Sequence, residues 1–153
     1  MNKEDIQKVY TVNKKAWHDY HILNKYEAGI ILLGSEVKAV REGNINLKDS
    51  YAFIRKGEIF LTNVHIGPYK PASKYNHQPE RERKLLLNRR EINKISGKLL
   101  EKGLTLVPLK VYALGGFIKV ELGVGRGKRS YDKREAIAKK DQQRDQERML
   151  KYK

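Results

Sequence analysis

At 153 residues the chain is the size of one domain with an appendage. Its 33 lysines and arginines against 18 acidic residues give a formal charge of +15, which makes nucleic acid the first candidate for a partner. The lack of cysteine excludes a disulfide framework and a thiolate metal site, and with no apolar run at the N-terminus or of membrane-spanning length, a soluble cytoplasmic protein is expected.

Residues 1–15 are polar and read as a flexible N-terminal segment. The aromatic and branched run 17–23 and the apolar run 26–33, which contains Gly29-Ile30-Ile31-Leu32-Leu33, read as two strands. Ser35 then caps a short helix that turns Val37 and Val40 to the core, leaves Lys38 and Arg41 outside and ends at Gly43. Strand 50–54, a turn at Lys56-Gly57 and a return strand 58–66 form a hairpin. The apolar parity of the return strand shifts between Leu61 and Val64, which predicts a bulge near Thr62-Asn63.

A long basic loop covers 67–82, denied regular structure by Pro68, Pro71 and Pro79, and ends in Lys84-Leu85-Leu86-Leu87. Asn88 followed by Glu91 fits a helix cap, ahead of an apolar stripe of Ile92, Ile95, Leu99 and Leu100 closed by Gly103. The opposite face carries Arg89, Arg90, Lys94, Lys98 and Lys102, which is either ordinary solvated surface or a nucleic-acid footprint. Strands 104–112 and 117–124 form a second hairpin around Leu114-Gly115-Gly116, with Pro108 marking a bulge or an edge. Many short antiparallel strands with two helices predict a mainly β fold: an oligonucleotide-binding-type antiparallel β-barrel over 16–124 with flanking helices.

The glycines at 123, 125 and 127 are expected to release the backbone from the last strand into a basic C-terminal tail, 125–153. From Gly123 onward there are 11 basic and 5 acidic residues, leaving 22 and 13 for the body, so both parts are net positive. Beyond Asp132 the tail has few apolar residues, which predicts disorder in the free chain, yet its residues are good helix formers that a polyanionic groove could order. Tyr131 supplies a flat face among cations, the combination that binds an unpaired base. A solubilising tail is the plain alternative.

Catalytic readings fail. Residues 123–128 look like a phosphate loop, but the Walker spacing needs glycine where Leu122 stands and Ser or Thr where Arg129 stands. Ser35-Glu36-Val37-Lys38 matches the bare Ser-x-x-Lys pattern of penicillin-binding enzymes, a short pattern in a chain small for that chemistry. His18 and His21, three apart in an expected strand, fall on opposite faces, and His65 and His77 lack companions at ligand spacing, so no metal, cofactor or catalytic residue is expected.

Several ordered motifs together are more specific than any one. Asn13-Lys14-Lys15-Ala16-x-His18-Asp19-Tyr20, Glu27-Ala28-Gly29-Ile30, Gly34-x-Glu36-Val37-Lys38, Asn46-Leu47-Lys48-Asp49-Ser50-Tyr51, Arg83-Lys84-Leu85-Leu86-Leu87 and Gly127-Lys128-Arg129-x-Tyr131-Asp132-Lys133-Arg134 closely resemble the bacterial SsrA-binding proteins, the small protein B family. The resemblance spans nearly the whole chain. It implies a barrel of the kind read above and a binding activity without catalysis. The family binds transfer-messenger RNA and brings it, with elongation factor Tu in the delivery complex, to 70S ribosomes stalled on messages that lack a stop codon.

Carried onto matching positions, the resemblance implies that Glu27, Arg41, Leu86 and Asn88 hold the tRNA-like domain of that RNA, with Asn13, Lys14 and His18 in a further RNA-contacting run. It implies that Arg126, Gly127, Lys128, Arg129, Tyr131, Asp132, Lys133 and Arg134 enter the decoding centre, and that the tail beyond becomes helical in the empty message channel, the protein acting as a monomer when bound. Gln78 stands where the family is often acidic and Ser130 at a variable position, so neither is assigned a role. Asn88 has a competing use as a cap. The alternative to this function is a ribosome-associated or ribosome-assembly protein that binds ribosomal RNA. A general single-strand binder is disfavoured because the body offers few aromatics at obvious platform positions.

Overall fold

The computed structural model describes residues 8–151, with the side chains of Tyr131, Asp132 and Lys133 among those outside the description. Nine strands and four α-helices follow in the order β1 (Lys8–Val12), α1 (Lys14–Asp19), β2 (Tyr20–Ile30), α2 (Gly34–Arg41), β3 (Ile45–Asn46), β4 (Tyr51–Arg55), β5 (Glu58–Thr62), β6 (His65–Ile66), a 3₁₀ turn (Lys70–Tyr75), β7 (Arg83–Leu86), α3 (Arg89–Leu99), β8 (Leu104–Leu114), β9 (Phe117–Gly127) and α4 (Ser130–Lys151). All pairings are antiparallel, and neighbours run β8, β4, β5, β7, β2, β9 and back to β8, an oligonucleotide-binding-like ring of strands. The long strand β8 closes it: one edge pairs with β9 throughout, while the other pairs with β4 at Leu106 and with β1 from Lys110 to Ala113.

Both predicted hairpins form with the turn chemistry that two-residue loops require. Lys56 and Gly57, then Gly115 and Gly116, take positive φ at both turn positions, matching the right-handed twist of the flanking strands. The irregularity expected at Pro108 is a register shift between Pro108 and Lys110, which turns the extra residue, Leu109, fully inward. The parity shift after Leu61 is a break rather than a bulge. Asn63 takes φ 63°, β5 ends at Thr62, and β6 crosses to pair with β3.

Three expectations about element bounds are corrected. The N-terminal segment is not free as far as residue 15, because Lys8–Val12 pair with β8, and residues 1–7 lie outside the described residues. Run 17–23 is not a strand from its start: α1 covers Lys14–Asp19 because Asn13 Oδ1 accepts from Ala16 N, and the two strands expected over 17–33 are the single strand β2. The glycines at 123 and 125 do not end the sheet. β9 runs to Gly127, and a Cβ at Gly125 would stand 2.9 Å from Tyr20 Cβ, so glycine there answers to close approach. For the tail, expected to be disordered alone and helical when bound, the form described is helical: α4 is an uninterrupted 22-residue helix with no proline or glycine from Ser130 to Lys151.

The main core fills the ring with Ile59, Leu61, Leu85, Leu106, Val120, Leu122 and Val124, plugged by Ala39 and Val40 from α2 and Ile92 and Ile95 from α3. Leu100, expected in the apolar stripe of α3, is 87% exposed because the helix ends at Leu99. A smaller cluster, Ala16 with Val107 and Leu109, seats α1.

Ser35 is not the cap of α2. Glu36 reaches back to accept from Leu33 N at 2.8 Å and, with no exposed surface, takes Arg83 Nε and an Arg81 nitrogen at 2.5 Å each. Arg83, also fully buried, spends its remaining nitrogens on Val64 O and Pro79 O. Burial pushes the Glu36 carboxyl up, but the hydrogen bonds from Arg81, Leu33 N and Arg83 outweigh it and hold the group below its ordinary value of 4.5. Its stabilising contribution is therefore whole above that value and lost as pH falls through the lower folded-state value. Replacing Glu36 by Gln strands the Arg83 charge and is expected to destabilise the fold by about 3–5 kcal/mol, and urea denaturation down an acid series should show the parent losing its advantage over Glu36→Gln.

Candidate nucleic-acid interface

A cleft of about 420 Å³ opens between α2 and the turn end of the β8–β9 hairpin. Arg41 and Val37 line it from α2, Leu86 from the end of β7, and Phe117 and Lys119 from β9. Leu86 is 51% exposed and Phe117 70%, apolar surface at the mouth of a cationic recess, while Arg41 is exposed with no acidic partner among the described residues. Two residues predicted from the sequence, Arg41 and Leu86, are thus brought together.

Glu27 stands at the rim. It shares the outward face of β2 with Gly29, which lines the cleft, and lies directly opposite Glu121 across the β2–β9 ladder. Like charges so placed repel. They are relieved by Lys110, opposite Glu121 on the far side with Nζ at 3.7 Å, and by the Tyr112 hydroxyl, which donates to Glu27 Oε1. Tyr112 is 2% exposed, and burial together with this bond pushes its phenol up, so it remains a proton donor. One Glu27 oxygen is held by Tyr112; the other has no partner among the described residues, and the residue is exposed.

Asn88 lies outside this cleft lining, at the start of α3, where its Oδ1 accepts from Glu91 N at 2.8 Å. The residue is exposed, and its amide NH2 remains after capping, so the two uses weighed from the sequence are compatible.

Asn13, Lys14 and His18 do not join this group. Asn13 is buried and consumed internally: besides capping α1 it donates to Leu47 O and Pro108 O, which leaves no group for RNA. Lys14 is exposed on α1, and His18 Nδ1 lies 3.0 Å from Asp19 Oδ1. Both sit by the root of the tail, where Lys128 N donates to Asp19 O at 2.8 Å and Lys128 Nζ to Trp17 O at 3.3 Å, a cation seated on the unsatisfied carbonyls that end α1.

Arg126 and Gly127 are the last, exposed residues of β9, with Arg126 3.6 Å from Glu101. Arg129 is exposed beyond them, and the backbones of Tyr131, Asp132, Lys133 and Arg134 form the first turns of α4. Ten residue steps of β9 separate Phe117 from Gly127, which at strand rise is about 33 Å. The cleft and the tail root are the two ends of one hairpin.

Sequence reasoning missed Phe117 and Lys119, readable only once the Gly115-Gly116 turn is known to fold back beside α2. It also missed an outward aromatic row. Tyr51, Phe53 and Phe60 lie on the outer face of β4 and β5 with ring centroids 6.3 and 5.9 Å apart, and the Arg55 guanidinium stands 4.3 Å from the Phe60 ring. The body is richer in surface aromatics than its sequence suggests. Among the described residues no group of three His, Asp or Glu could hold a metal ion, and no helix is long and apolar enough to cross a membrane.

Residues 10–152 match the family described as SmpB protein. The SsrA-binding protein of Carboxydothermus hydrogenoformans is 54% identical over 95% of this chain and 97% of its own length. Those of Geobacillus thermodenitrificans and Bacillus subtilis are 58% and 55% identical, each over 92% of this chain and 91% and 90% of their own. A solved structure described as "tmRNA-SmpB: a journey to the center of the bacterial ribosome" superposes with a TM-score of 0.67 at 47% identity, covering 83% of this chain and 93% of that one. With a family match from residue 10 to 152 and relatives above half identity across almost the full length, the chain belongs to the SmpB family, the SsrA-binding proteins.

Proposed function

We propose that this protein binds transfer-messenger RNA and acts with it in trans-translation, the barrel cleft holding the tRNA-like domain and the tail testing whether the ribosomal message channel is empty. The relatives are named for an SsrA ligand, and the similar solved structure is described as joining tmRNA and SmpB in the bacterial ribosome. The observation that carries the reading here is the gathering of Arg41, Leu86, Lys119 and Phe117 in one cleft, with Glu27 at its rim, at the far end of the hairpin from the basic tail.

Each part has a chemical task. Arg41 and Lys119 neutralise phosphates, Leu86 and Phe117 offer apolar contact to exposed bases, and the outward oxygen of Glu27 accepts from a base amine or a 2′-hydroxyl. Nothing in this set activates a nucleophile, so the activity proposed is recognition. In α4 the described side chains from Arg134 to Arg148 are largely polar and exposed all round, which suits a helix enclosed by RNA phosphate rather than one packed on a protein. Vacancy is then sensed sterically, since message and helix cannot share one channel. Elongation factor Tu is the proposed companion during delivery, and the cytoplasm the proposed place of action.

Deleting the residues after Lys128 should leave affinity for a folded tRNA-like RNA within a few-fold of the parent while abolishing peptide tagging on stalled ribosomes, measured by binding and by a tagging assay in parallel. Tyr131→Ala should cost about 1–3 kcal/mol of ribosome engagement if a base stacks on the ring, and equal tagging rates would remove that role. In the barrel, Tyr112→Phe removes the bond that fixes Glu27 and leaves its carboxylate to be pushed out of place by Glu121. It should weaken binding of the tRNA-like RNA, and by a double-mutant cycle the loss should vanish in a Glu27→Gln background.

A further inference from the structure

The basic loop that the sequence marks as long and irregular holds one 3₁₀ turn, Lys70–Tyr75, and lines no part of the cleft at Arg41. Residues 67–79 contain three prolines, two tyrosines and two lysines, with no acidic residue. Asn76 clamps the loop by accepting from Tyr69 N and donating to Tyr69 O, both at 2.9 Å, and closes the 3₁₀ turn Lys70–Tyr75 between them. His77, 7% exposed, anchors the next step. Its Nε2 faces the acceptor Ile66 O at 2.8 Å and so carries the proton, which leaves Nδ1 to accept from the Ser35 hydroxyl at 2.8 Å. The turn is thereby fixed against the start of α2.

Between turn and helix lies a second cleft, about 360 Å³, whose walls include Lys38, Tyr69, Pro71 and Tyr75. Lys38 Nζ stands 5.3 Å from the centroid of Tyr69, and Lys74 Nζ 5.4 Å from that of Tyr75, a ring that is 80% exposed. No carboxylate pairs with Lys38, Lys70 or Lys74 among the described residues. A tyrosine so exposed on a pinned turn, beside lysines that no carboxylate neutralises, lacks a structural reason for its place. The volume falls within the range of small-ligand pockets. Flat faces take a base and ammonium groups take the phosphates on either side of it.

We infer that this cleft receives one unpaired nucleotide of an RNA strand, its base against Tyr75 and Tyr69 and its flanking phosphates on Lys38, Lys70 and Lys74. The site lies around α2 from the Arg41 cleft and reads no base edge, so it accepts any base in single-stranded form. It adds to the proposed function and does not depend on the tRNA-like domain being the ligand of the other face.

The test uses the full chain and a uridine oligonucleotide of about ten nucleotides, within the span one such barrel covers. Tyr75→Ala should lower affinity roughly fivefold to a hundredfold, the equivalent of losing one stacked base, while Tyr75→Phe keeps it. Lys38→Gln and Lys74→Gln should each reduce the slope of log affinity against log salt by about 0.7. Unchanged affinity in Tyr75→Ala overturns the inference, as does a duplex of equal length that binds as well and loses as much. An acidic peptide bound with the same dependence on Tyr75 would reassign the cleft to a protein partner and overturn it too. Arg41→Gln is the separate arm for the other face: a loss of folded tRNA-like RNA binding there, with oligonucleotide binding intact, keeps the two readings distinguishable.

Discussion

Glu36 and Arg83 carry opposite charges with no exposed surface, and much of the molecule is hung on that pair. Removing two ions from water is costly, and their attraction repays it only when every remaining donor and acceptor is also served. Here they are. Glu36 takes bonds from two arginines and the backbone at Leu33, and Arg83 ties itself to Val64 and Pro79, so one buried contact joins α2, β7 and both approaches to the long loop. Helix α2 in turn supplies Arg41 to one cleft and Lys38 to the other. A hydrophobic pair could hold α2 against the sheet, but it would not fix the helix in azimuth, and azimuth decides which cation faces which recess.

What the sequence shows of this fold is what is decided locally. Lys56-Gly57 and Leu114-Gly115-Gly116 name their turns because few residues accept φ above zero, and Asn88 ahead of Glu91 names a helix start. Where the deciding partner is distant, the sequence misleads. Trp17 and His18 read as strand because their side chains are aromatic, yet α1 forms over them because Asn13 finds Leu47 and Pro108, 34 and 95 residues away. Nothing near Glu36 or Arg83 in the chain predicts that they pair, 47 residues apart. Phe53 and Phe60 face outward because Ala52, Ile59 and Leu61 alternate with them on the buried face.

The candidate site divides along the same line. Family motifs supply Arg41, Leu86 and Glu27 as names without an arrangement, and only the ring of strands shows that three separate segments converge beside the hairpin turn. The same resemblance supplies Asn13, whose side chain holds α1 in place, with the exposed Lys14 and the half-buried His18 beside it.

The β8–β9 hairpin, paired along its full length and stiffened on both flanks by β1 and β2, carries the proposed cleft at one tip and the root of the tail at the other. A stiff tether of fitting length turns a second encounter into an intramolecular one at high effective concentration. Once the turn tip is docked, the other tip searches only a short arc, so even weak contacts made there are populated, and a mismatch in the span between the two receptors would be felt as geometric exclusion instead of reduced affinity.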